Sequence, residues 1–222
     1  MLTQGRLDRL KQSLGGVLRQ SHIADVRVMV WANAAGAETL AYLRTKPVHL
    51  FDCPNNAGQH IAMNEMLDEA SRMQATHFLR VDDDAVFQTR DWLKKLLAAH
   101  MALEKANVYS VMSPVINGLN HPPPTLGFTN YGHRRFEQVN ILGGICRLHP
   151  MHLLRHFRFE ERLPMGGGEA TQIAALCNSL SVPLLRYPKV QVSHGGSTNA
   201  QEAADPIWKH RHDMAQYIPV GL

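Results

Sequence analysis

The sequence predicts an α/β fold in which helices cover both faces of a mostly parallel sheet. In the first half of the chain, short β-branched and apolar segments alternate with segments whose apolar residues recur at helical spacing. That alternation is typical of a parallel sheet built from βαβ units. The length of 222 residues, of which 45% are hydrophobic and 19% charged, fits a single globular domain. We expect two halves, about 1–105 and about 106–222, within that domain.

The elements of the first half follow from local patterns. Leucines and valines at helical spacing predict a helix over about 6–20, weakened by Gly15 and Gly16. The β-branched run Val26–Trp31 predicts the strand that follows. The other elements predicted here are a helix over 37–44, a strand over 48–51, a helix around 62–73, a strand over 78–81 and a helix over 91–105.

The second half has a less regular pattern. We expect strands near 108–112 and 139–146, a helix over about 169–180 and a strand that ends at Ser193. A long polar loop with three consecutive prolines, Pro122 to Pro124, separates the first two strands.

Composition excludes several classes of protein. No apolar run approaches the 18 residues that a membrane-spanning helix needs, and the first residues lack the apolar stretch of a secretory signal. We therefore expect a cytoplasmic protein without a membrane span. The three cysteines, Cys53, Cys146 and Cys177, form no CxxC pair, so reduced thiols are expected rather than a cysteine zinc site. The net charge of +4 permits an anionic partner but does not require one.

Three consecutive aspartates, Asp82 to Asp84, follow the strand predicted over 78–81. Ligands of open α/β sheets bind beyond the carboxyl ends of the strands, and Mg²⁺ or Mn²⁺ prefers carboxylate oxygens and substrate phosphates. In an extended segment, Asp82 and Asp84 would point to one side and Asp83 to the other. A turn or a helix cap is the alternative interpretation of this triplet.

Three motifs occur in a fixed order along the chain: the segment from Asn56 to Asn64, which reads N-x-G-x-x-x-A-x-N, the segment Val81–Asp84, and Gly167-Gly168-Glu169. Together they resemble the GT-A glycosyltransferases, and most closely glycosyltransferase family 2. The resemblance implies a GT-A fold, a Mn²⁺ or Mg²⁺ cofactor and a nucleotide-sugar donor, most simply UDP-linked. It also implies a hydroxyl acceptor, a saccharide by default or a hydroxymethylated base in phage-type DNA.

The resemblance also assigns metal-binding and donor-binding roles. Asp84 is the expected direct metal ligand and a catalytic residue, and Asp82 is expected to contact the ribose or the metal. Asp83 belongs to the same donor-binding set. His194, which ends a predicted strand and precedes two glycines, is the expected third metal ligand and would favour Mn²⁺.

Further residues are expected to line the donor. Asn33 matches a position that reads the nucleotide base, although a turn-forming role is the simpler alternative. Asn56, Gly58 and Asn64 would shape the loop and helix beside the nucleotide, and Gly167 and Gly168 belong to the same donor-binding set. Family members commonly carry Arg where this chain has Met63, so one donor contact is in question.

The chain departs from the family in two places. Inverting members carry Asp as general base where this chain has Ala170. Either Glu169 serves as the catalytic base, or the reaction is retaining and needs none; a first-turn acidic residue stabilised by the helix dipole is the simplest alternative. We also expect a truncated first strand, because only Met1–Thr3 precede the segment that usually follows it; a later start of this sequence or a strand supplied otherwise is the alternative.

Other interpretations stay open at this point. The aspartates could serve a nucleotidyltransferase or phosphoesterase, or the chain could be a binding module that takes up a nucleotide sugar without turnover. Basic and aromatic residues at 133–136 and 208–212 suit a solvated loop and tail, or contacts to an anionic ligand. The sequence does not indicate the oligomeric state.

Overall fold

A computed structural model describes residues 1–20, 22, 25–119, 122–162 and 168–195. In chain order the elements are β1 (Leu2–Thr3), α1 (Leu7–Leu18), β2 (Met29–Asn33), α2 (Ala37–Arg44), β3 (His49–Cys53), α3 (Gln59–Arg72), β4 (His77–Val81), β5 (Ala85–Phe87), α4 (Trp92–Lys105), β6 (Val111–Asn117), β7 (Gly127–Tyr131), β8 (Arg134–Val139), β9 (Cys146–Pro150), α5 (Met151–Leu154), α6 (Glu169–Ser179) and β10 (Leu184–His194).

The strands of the first half run parallel. β1, β2 and β3 lie in the order β1-β2-β3, and a parallel bridge between Leu2 and Asp82 places β1 beside the end of β4. The first strand is only two residues long, as the sequence predicts, and it still lies between β2 and the aspartates. The carboxyl ends of β1, β2, β3 and β4 therefore meet at one edge, where polar side chains collect.

The other seven strands form a second, mixed sheet, whose antiparallel pairs include two strands of the first half, β4 paired with β9 and β5 paired with β10. The strand order there is β4-β9-β6-β10-β8-β7, with β5 paired to β10. β6 and β10 are parallel, whereas β9 runs antiparallel to both β4 and β6. The antiparallel pairing of β5 with β10 sets Ala85 opposite His194, so the last strand ends beside the aspartate turn.

Two predictions made from the sequence for the second half were wrong. The strand expected over 139–146 is the end of β8 and the start of β9, joined by a loop that contains Gly143 and Gly144. The segment expected as a polar loop forms the hairpin of β7 and β8. This hairpin lies at the edge of the sheet, so alternate side chains face solvent and the apolar pattern of a buried strand is absent.

Close packing of α1 explains a glycine that looked unfavourable in the sequence. A Cβ at Gly16 would lie 2.5 Å from Cδ2 of Phe87, so the ring fits only against a glycine. Phe87 stacks on Trp92 at a centroid distance of 3.9 Å, and Trp92 Nε1 donates to the Gly16 carbonyl at 3.3 Å. α1 is thereby fixed against β5 and α4. Its first turn follows β1 and lies beside the aspartates.

A cavity of about 830 Å³ opens at the opposite ends of β2 and β4, lined by residues such as Val28, Phe78 and Leu97. The aspartates do not line it. No helix in the described ranges is long and apolar enough to cross a membrane.

Candidate active site

The three aspartates form the turn between β4 and β5. The Asp82 amide donates to the Ile145 carbonyl at 2.9 Å, and the Ser13 hydroxyl donates to the Asp82 carbonyl at 2.9 Å. The Ala85 amide closes the turn on the same carbonyl at 3.3 Å. Contacts from α1 and from the loop before β9 therefore fix the backbone that carries the carboxylates.

This turn changes the expected directions of the side chains. The sequence predicts that Asp82 and Asp84 share one side and that Asp83 points away. Instead, Asp83 and Asp84 both contact the guanidinium of Arg6, whereas Asp82 accepts from Arg80 at 3.0 and 3.2 Å. The prediction was wrong because it assumed an extended chain, and the chain turns after Asp82.

Asp84 lies against the end of the last strand. His194 Nε2 is 3.3 Å from Asp84 Oδ2, and the Gly195 amide donates to the Asp84 carbonyl at 2.8 Å. A Cβ at Gly195 would come within 2.9 Å of that carbonyl oxygen, so glycine permits the close approach. Burial raises the pKa of Asp84, but His194 and Arg6 outweigh it and lower the pKa below its ordinary value. Asp84 is therefore a carboxylate at neutral pH.

The predicted metal ligands come together in part. Oδ1 of Asp84 is buried and accepts no hydrogen bond, which is the condition of an oxygen available to a cation. His194 Nε2, the other expected ligand atom nearby, contacts Oδ2 of the same carboxylate. In the described part of the chain, the ligand atoms of Asp82, Asp84 and His194 do not all lie within 4.8 Å of one another.

Arg6 and Thr3 surround the middle aspartate. The Thr3 hydroxyl donates to Asp83 Oδ2 at 2.8 Å, and Arg6 pairs with Asp83 and, at 3.1 Å, with Asp84 Oδ2. Burial raises the pKa of Asp83 although Arg6 and Thr3 lower it. The side chain of Arg6 is 49% exposed, so part of the guanidinium faces solvent beside the carboxylates.

Glu169 lies at the centre of a buried ion-pair network. Its Oε2 is 2.5 Å from Nη1 of Arg80 and 2.5 Å from Nη2 of Arg147. Arg80 also pairs with Asp82, so the network joins the start of α6 to the aspartate turn. Arg147 donates further to the Leu142 carbonyl at 2.7 Å. A Cβ at Gly144 would lie 2.5 Å from the Arg80 guanidinium carbon, so this glycine makes room for the arginine.

The network determines the protonation of Glu169. Burial raises its pKa, but the charges and hydrogen bonds of Arg80 and Arg147 outweigh burial and lower the pKa to about 2. A general base works best with a pKa near the working pH, so a carboxylate this acidic is a weak proton acceptor. The contacts suit a residue that holds the start of α6.

Asn33 and Asn56 fix the loop that enters α3. Asn33 is buried at the end of β2; it donates to Asn56 Oδ1 at 2.6 Å and accepts from the Ala57 amide at 2.9 Å. Asn56 also accepts from the Gly58 amide at 3.1 Å. Gly58 has a φ of +83°, which only glycine adopts without strain. Both asparagines are thus engaged with the loop at the carboxyl edge of the sheet.

Asn64 lies on α3, and Gly168 directly precedes α6. Asn64 donates to the Phe159 carbonyl and accepts from the Phe159 amide, at 3.0 and 2.9 Å, so it holds the segment before α6. Met63 is 2% exposed and packs in the core, where it makes no contact with the site. Gly168 precedes α6 with a φ of +79°, and Gly167 lies outside the described residues.

The two basic clusters differ in what the structure describes. In the hairpin of β7 and β8, Arg135 lies 3.8 Å over the exposed ring of Phe128, and Phe136 is buried in the core. The cluster at 208–212 lies outside the described residues.

Comparison with known proteins decides the family. The family model described as Glycosyl transferase family 2 matches residues 1–162. The chain belongs to glycosyl transferase family 2. A search of curated proteins found no match.

Solved structures with this fold include two glycosyltransferases. The crystal structure of GalNAc-T7 with UDP, GalNAc and Mn²⁺ matches 100% of this chain and 52% of its own, with a TM-score of 0.65 and 14% identity. Staphylococcus aureus TarS matches 99% of this chain and 39% of its own, with a TM-score of 0.62 and 14% identity. These likenesses confirm the GT-A fold. The family 2 chain spans about half the length of the first of these structures.

Sequence reasoning missed three arginines of the candidate site. Arg80 and Arg147 lie within strands whose neighbours are apolar and buried, and a charged residue in such a strand needs an ionic partner. A charged residue within an apolar strand was therefore a signal present in the sequence. Arg6 had no such signal, because an arginine at the start of a helix is ordinary on a surface.

Proposed function

We propose that this chain is a metal-dependent glycosyltransferase that moves a sugar from a nucleoside diphosphate sugar of UDP type to a hydroxyl acceptor. The observation that carries the proposal is the buried, unpartnered Oδ1 of Asp84 beside His194, at the carboxyl edge of the sheet. Membership of glycosyl transferase family 2 supports it, as does a neighbour of the same fold that was crystallised with UDP and Mn²⁺.

Asp84 and His194 are the residues proposed to hold the metal, with Asp82 nearby as the further ligand. When bound there, a divalent ion neutralises charge on the departing diphosphate. Asp82 is now paired with Arg80, and burial raises its pKa although Arg80 lowers it. Binding of the metal by the Asp82 carboxylate therefore competes with its ion pair to Arg80.

Arg6 is the cation of the chain proposed to meet the donor. Its guanidinium is anchored by Asp83 and Asp84 and half exposed, so the remaining N–H groups are free to donate to phosphate oxygens. Asn33 and Asn56 hold the loop before α3 in place, which is how they are proposed to shape the nucleotide side of the site. Gly168 is proposed as a further donor-binding residue, as is Gly167, which lies outside the described residues.

Glu169 is proposed as a positioning residue. Two arginines neutralise it, and with a pKa near 2 it gains little by taking a proton from an acceptor hydroxyl. Of the two alternatives that Ala170 leaves open, this geometry favours the reaction in which Glu169 is not the base. The stereochemistry of the product, read by NMR at the anomeric carbon, distinguishes the two.

The acceptor is proposed to be a saccharide hydroxyl bound by the second half of the chain, about 106–222. Donor and acceptor sites would then share one domain, with the donor held by about 1–105. Transfer to hydroxymethylated DNA is the alternative outcome, and the same assay with each acceptor separates the two.

The test is release of nucleoside diphosphate from a panel of UDP-sugars, with and without Mn²⁺. Asp84→Asn should abolish metal-dependent release. Asp68→Asn, which changes an exposed carboxylate on α3, should leave it intact. Mn²⁺-dependent release by Asp84→Asn would contradict the proposal. So would release by the wild type at the same rate with and without Mn²⁺.

A further inference from the structure

Two histidines and a glutamate meet at the opposite end of β4 from the aspartates. His77 begins β4, and His100 and Glu104 lie one turn apart on α4. His77 Nε2 is 3.3 Å from Glu104 Oε1, and His100 Nδ1 is 3.7 Å from the same oxygen. The three ligand atoms all lie within 4.8 Å of one another. At about 3.3 Å per residue, the length of β4 places this cluster roughly 16 Å from Asp82.

The outer contacts of His100 decide which ring nitrogen carries hydrogen. His100 Nε2 lies 2.9 Å from the Ser110 carbonyl oxygen, which can only accept, so Nε2 is the N–H donor. In a neutral imidazole the other nitrogen, Nδ1, then has a free lone pair. That lone pair faces Glu104.

His77 has a similar arrangement. Its Nδ1 lies 3.0 Å from the Thr76 hydroxyl, an oxygen that can accept the ring hydrogen. The same hydroxyl can also donate; in the tautomer with hydrogen on Nδ1, His77 Nε2 has a lone pair facing Glu104. In that tautomer, two lone pairs and one carboxylate oxygen converge with no hydrogen between them.

Neither inward-facing nitrogen has a hydrogen-bond partner. Both His77 Nε2 and His100 Nδ1 are buried and unpaired by hydrogen bonds, and the His100 side chain is fully buried. A buried polar atom without a partner needs an explanation, and a bound water or ion is one such explanation. A metal cation satisfies all three atoms at once.

We propose that His77, His100 and Glu104 bind a zinc-type divalent transition metal, with a fourth position open to water. Imidazole nitrogens and a carboxylate are ordinary ligands for Zn²⁺. With bonds of 2.0–2.1 Å, ligand atoms around a tetrahedral ion lie about 3.3 Å apart, close to the separations seen here. The contacts to Ser110 and Thr76 are the outer hydrogen bonds that orient metal-binding imidazoles.

The metal would fasten the end of α4 to the start of β4. The cluster shares no residue with the donor site, so its role is structural and does not depend on the proposed transfer reaction. The spacing along the chain could not reveal it, because His77 and His100 come from different elements.

The test is titration of the full, metal-free chain with Co²⁺, followed by its visible absorption bands and by displacement with Zn²⁺. We expect one equivalent to produce the bands of a low-coordinate ion. Glu104→Gln and His77→Gln, both at partly exposed positions, should weaken binding by at least about 100-fold. Thr76→Val, which removes only the outer hydrogen bond of His77, should weaken it by about 10-fold.

Two controls separate this site from others. His49→Gln removes a histidine that lies 3.6 Å from Glu69 Oε1 without a third ligand, and it should leave the Co²⁺ bands unchanged. Asp84→Asn should also leave them unchanged, because it alters only the donor site. Circular dichroism of the metal-free variants confirms folding, and Thr76→Val decides the question if another variant fails to fold. Wild-type chain without Co²⁺ bands, or equal bands in His77→Gln and Glu104→Gln, would overturn the proposal.

Discussion

Nε2 of His194 lies 3.3 Å from Oδ2 of Asp84, and the two residues meet because β10 ends antiparallel to β5. The aspartate turn follows β4 in the first half of the chain, whereas His194 ends the last described strand. The fold therefore completes the candidate metal site from two distant segments. The predictions below test this site and the ion pairs that support it.

Loss of the histidine should weaken the metal site without unfolding the protein. His194→Gln keeps a polar side chain of similar reach but removes the imidazole nitrogen. We expect Mn²⁺ to bind about 10- to 100-fold more weakly, measured by electron paramagnetic resonance of free Mn²⁺. The exposed substitution His49→Gln is the control. Equal Mn²⁺ affinity in His194→Gln and wild type would remove His194 from the site.

The two adjacent glycines before β9 offer a matched pair of variants. Gly144→Ala places a Cβ 2.5 Å from the Arg80 guanidinium, which the carboxylates of Asp82 and Glu169 hold in place. We expect overpacking to cost about 1–3 kcal/mol in the free energy of unfolding, measured by urea denaturation. Gly143→Ala meets no atom within 4 Å and should cost far less. Equal losses of unfolding free energy in the two variants would show that the Arg80 guanidinium is not confined beside Gly144.

The pKa of Glu169 predicts how stability changes with pH. Its pKa is about 2 in the folded protein and 4.5 in the unfolded chain, so the folded state binds fewer protons between these values. The ionised Glu169 carboxylate contributes fully to the free energy of unfolding above pH 4.5; this contribution decreases as the pH falls and is lost near pH 2. The contribution is on the order of 3 kcal/mol.

The measurement is the free energy of unfolding of wild type and Glu169→Gln at pH 6 and pH 3. Glu169→Gln should be strongly destabilised at pH 6, by about 3–5 kcal/mol, because it removes the carboxylate that two buried arginines share. The difference between the two proteins should shrink at pH 3. Glu65→Gln, on the exposed face of α3, should show no such change. A difference independent of pH would refute the assigned charge state.

Asn33 should matter for stability as well as for the donor loop. Asn33→Ala removes two buried hydrogen bonds and leaves the Ala57 amide without its acceptor. We expect a loss of about 1–3 kcal/mol in the free energy of unfolding. Asn55→Ala, at an exposed neighbouring position, is the control. A neutral Asn33→Ala variant would show that the loop is held by other contacts.

The sequence predicted the elements whose pattern is local. The helices over 6–20, 37–44 and 91–105 are confirmed within a few residues, because amphipathic spacing reports burial directly. The hairpin of β7 and β8 was missed because a sheet edge leaves alternate side chains in water. The break between β8 and β9 was missed because Leu142, in the intervening loop, is as buried as a strand residue.

The sequence indicated which residues collect at the candidate site, but not how their side chains are oriented. The aspartates, Asn33 and Glu169 do collect near one edge of the sheet, which follows from where strands end. The directions of their side chains depend on Arg6, Arg80 and Arg147, three partners that come from other elements. No spacing rule reports such pairings, so the shared orientation expected for Asp82 and Asp84 could not be checked before the fold was known.

The most direct test of the central claim is a thermal-shift measurement with nucleotide sugars in the presence and absence of Mn²⁺. A ligand that binds only the folded chain raises the Tm, and a concentration 100 times its Kd adds about 2.7 kcal/mol of stability. We predict a Mn²⁺-dependent rise with at least one UDP-sugar that is retained in Asp68→Asn and lost in Asp84→Asn. The same rise in Asp84→Asn, or no rise with any nucleotide sugar, would contradict the account.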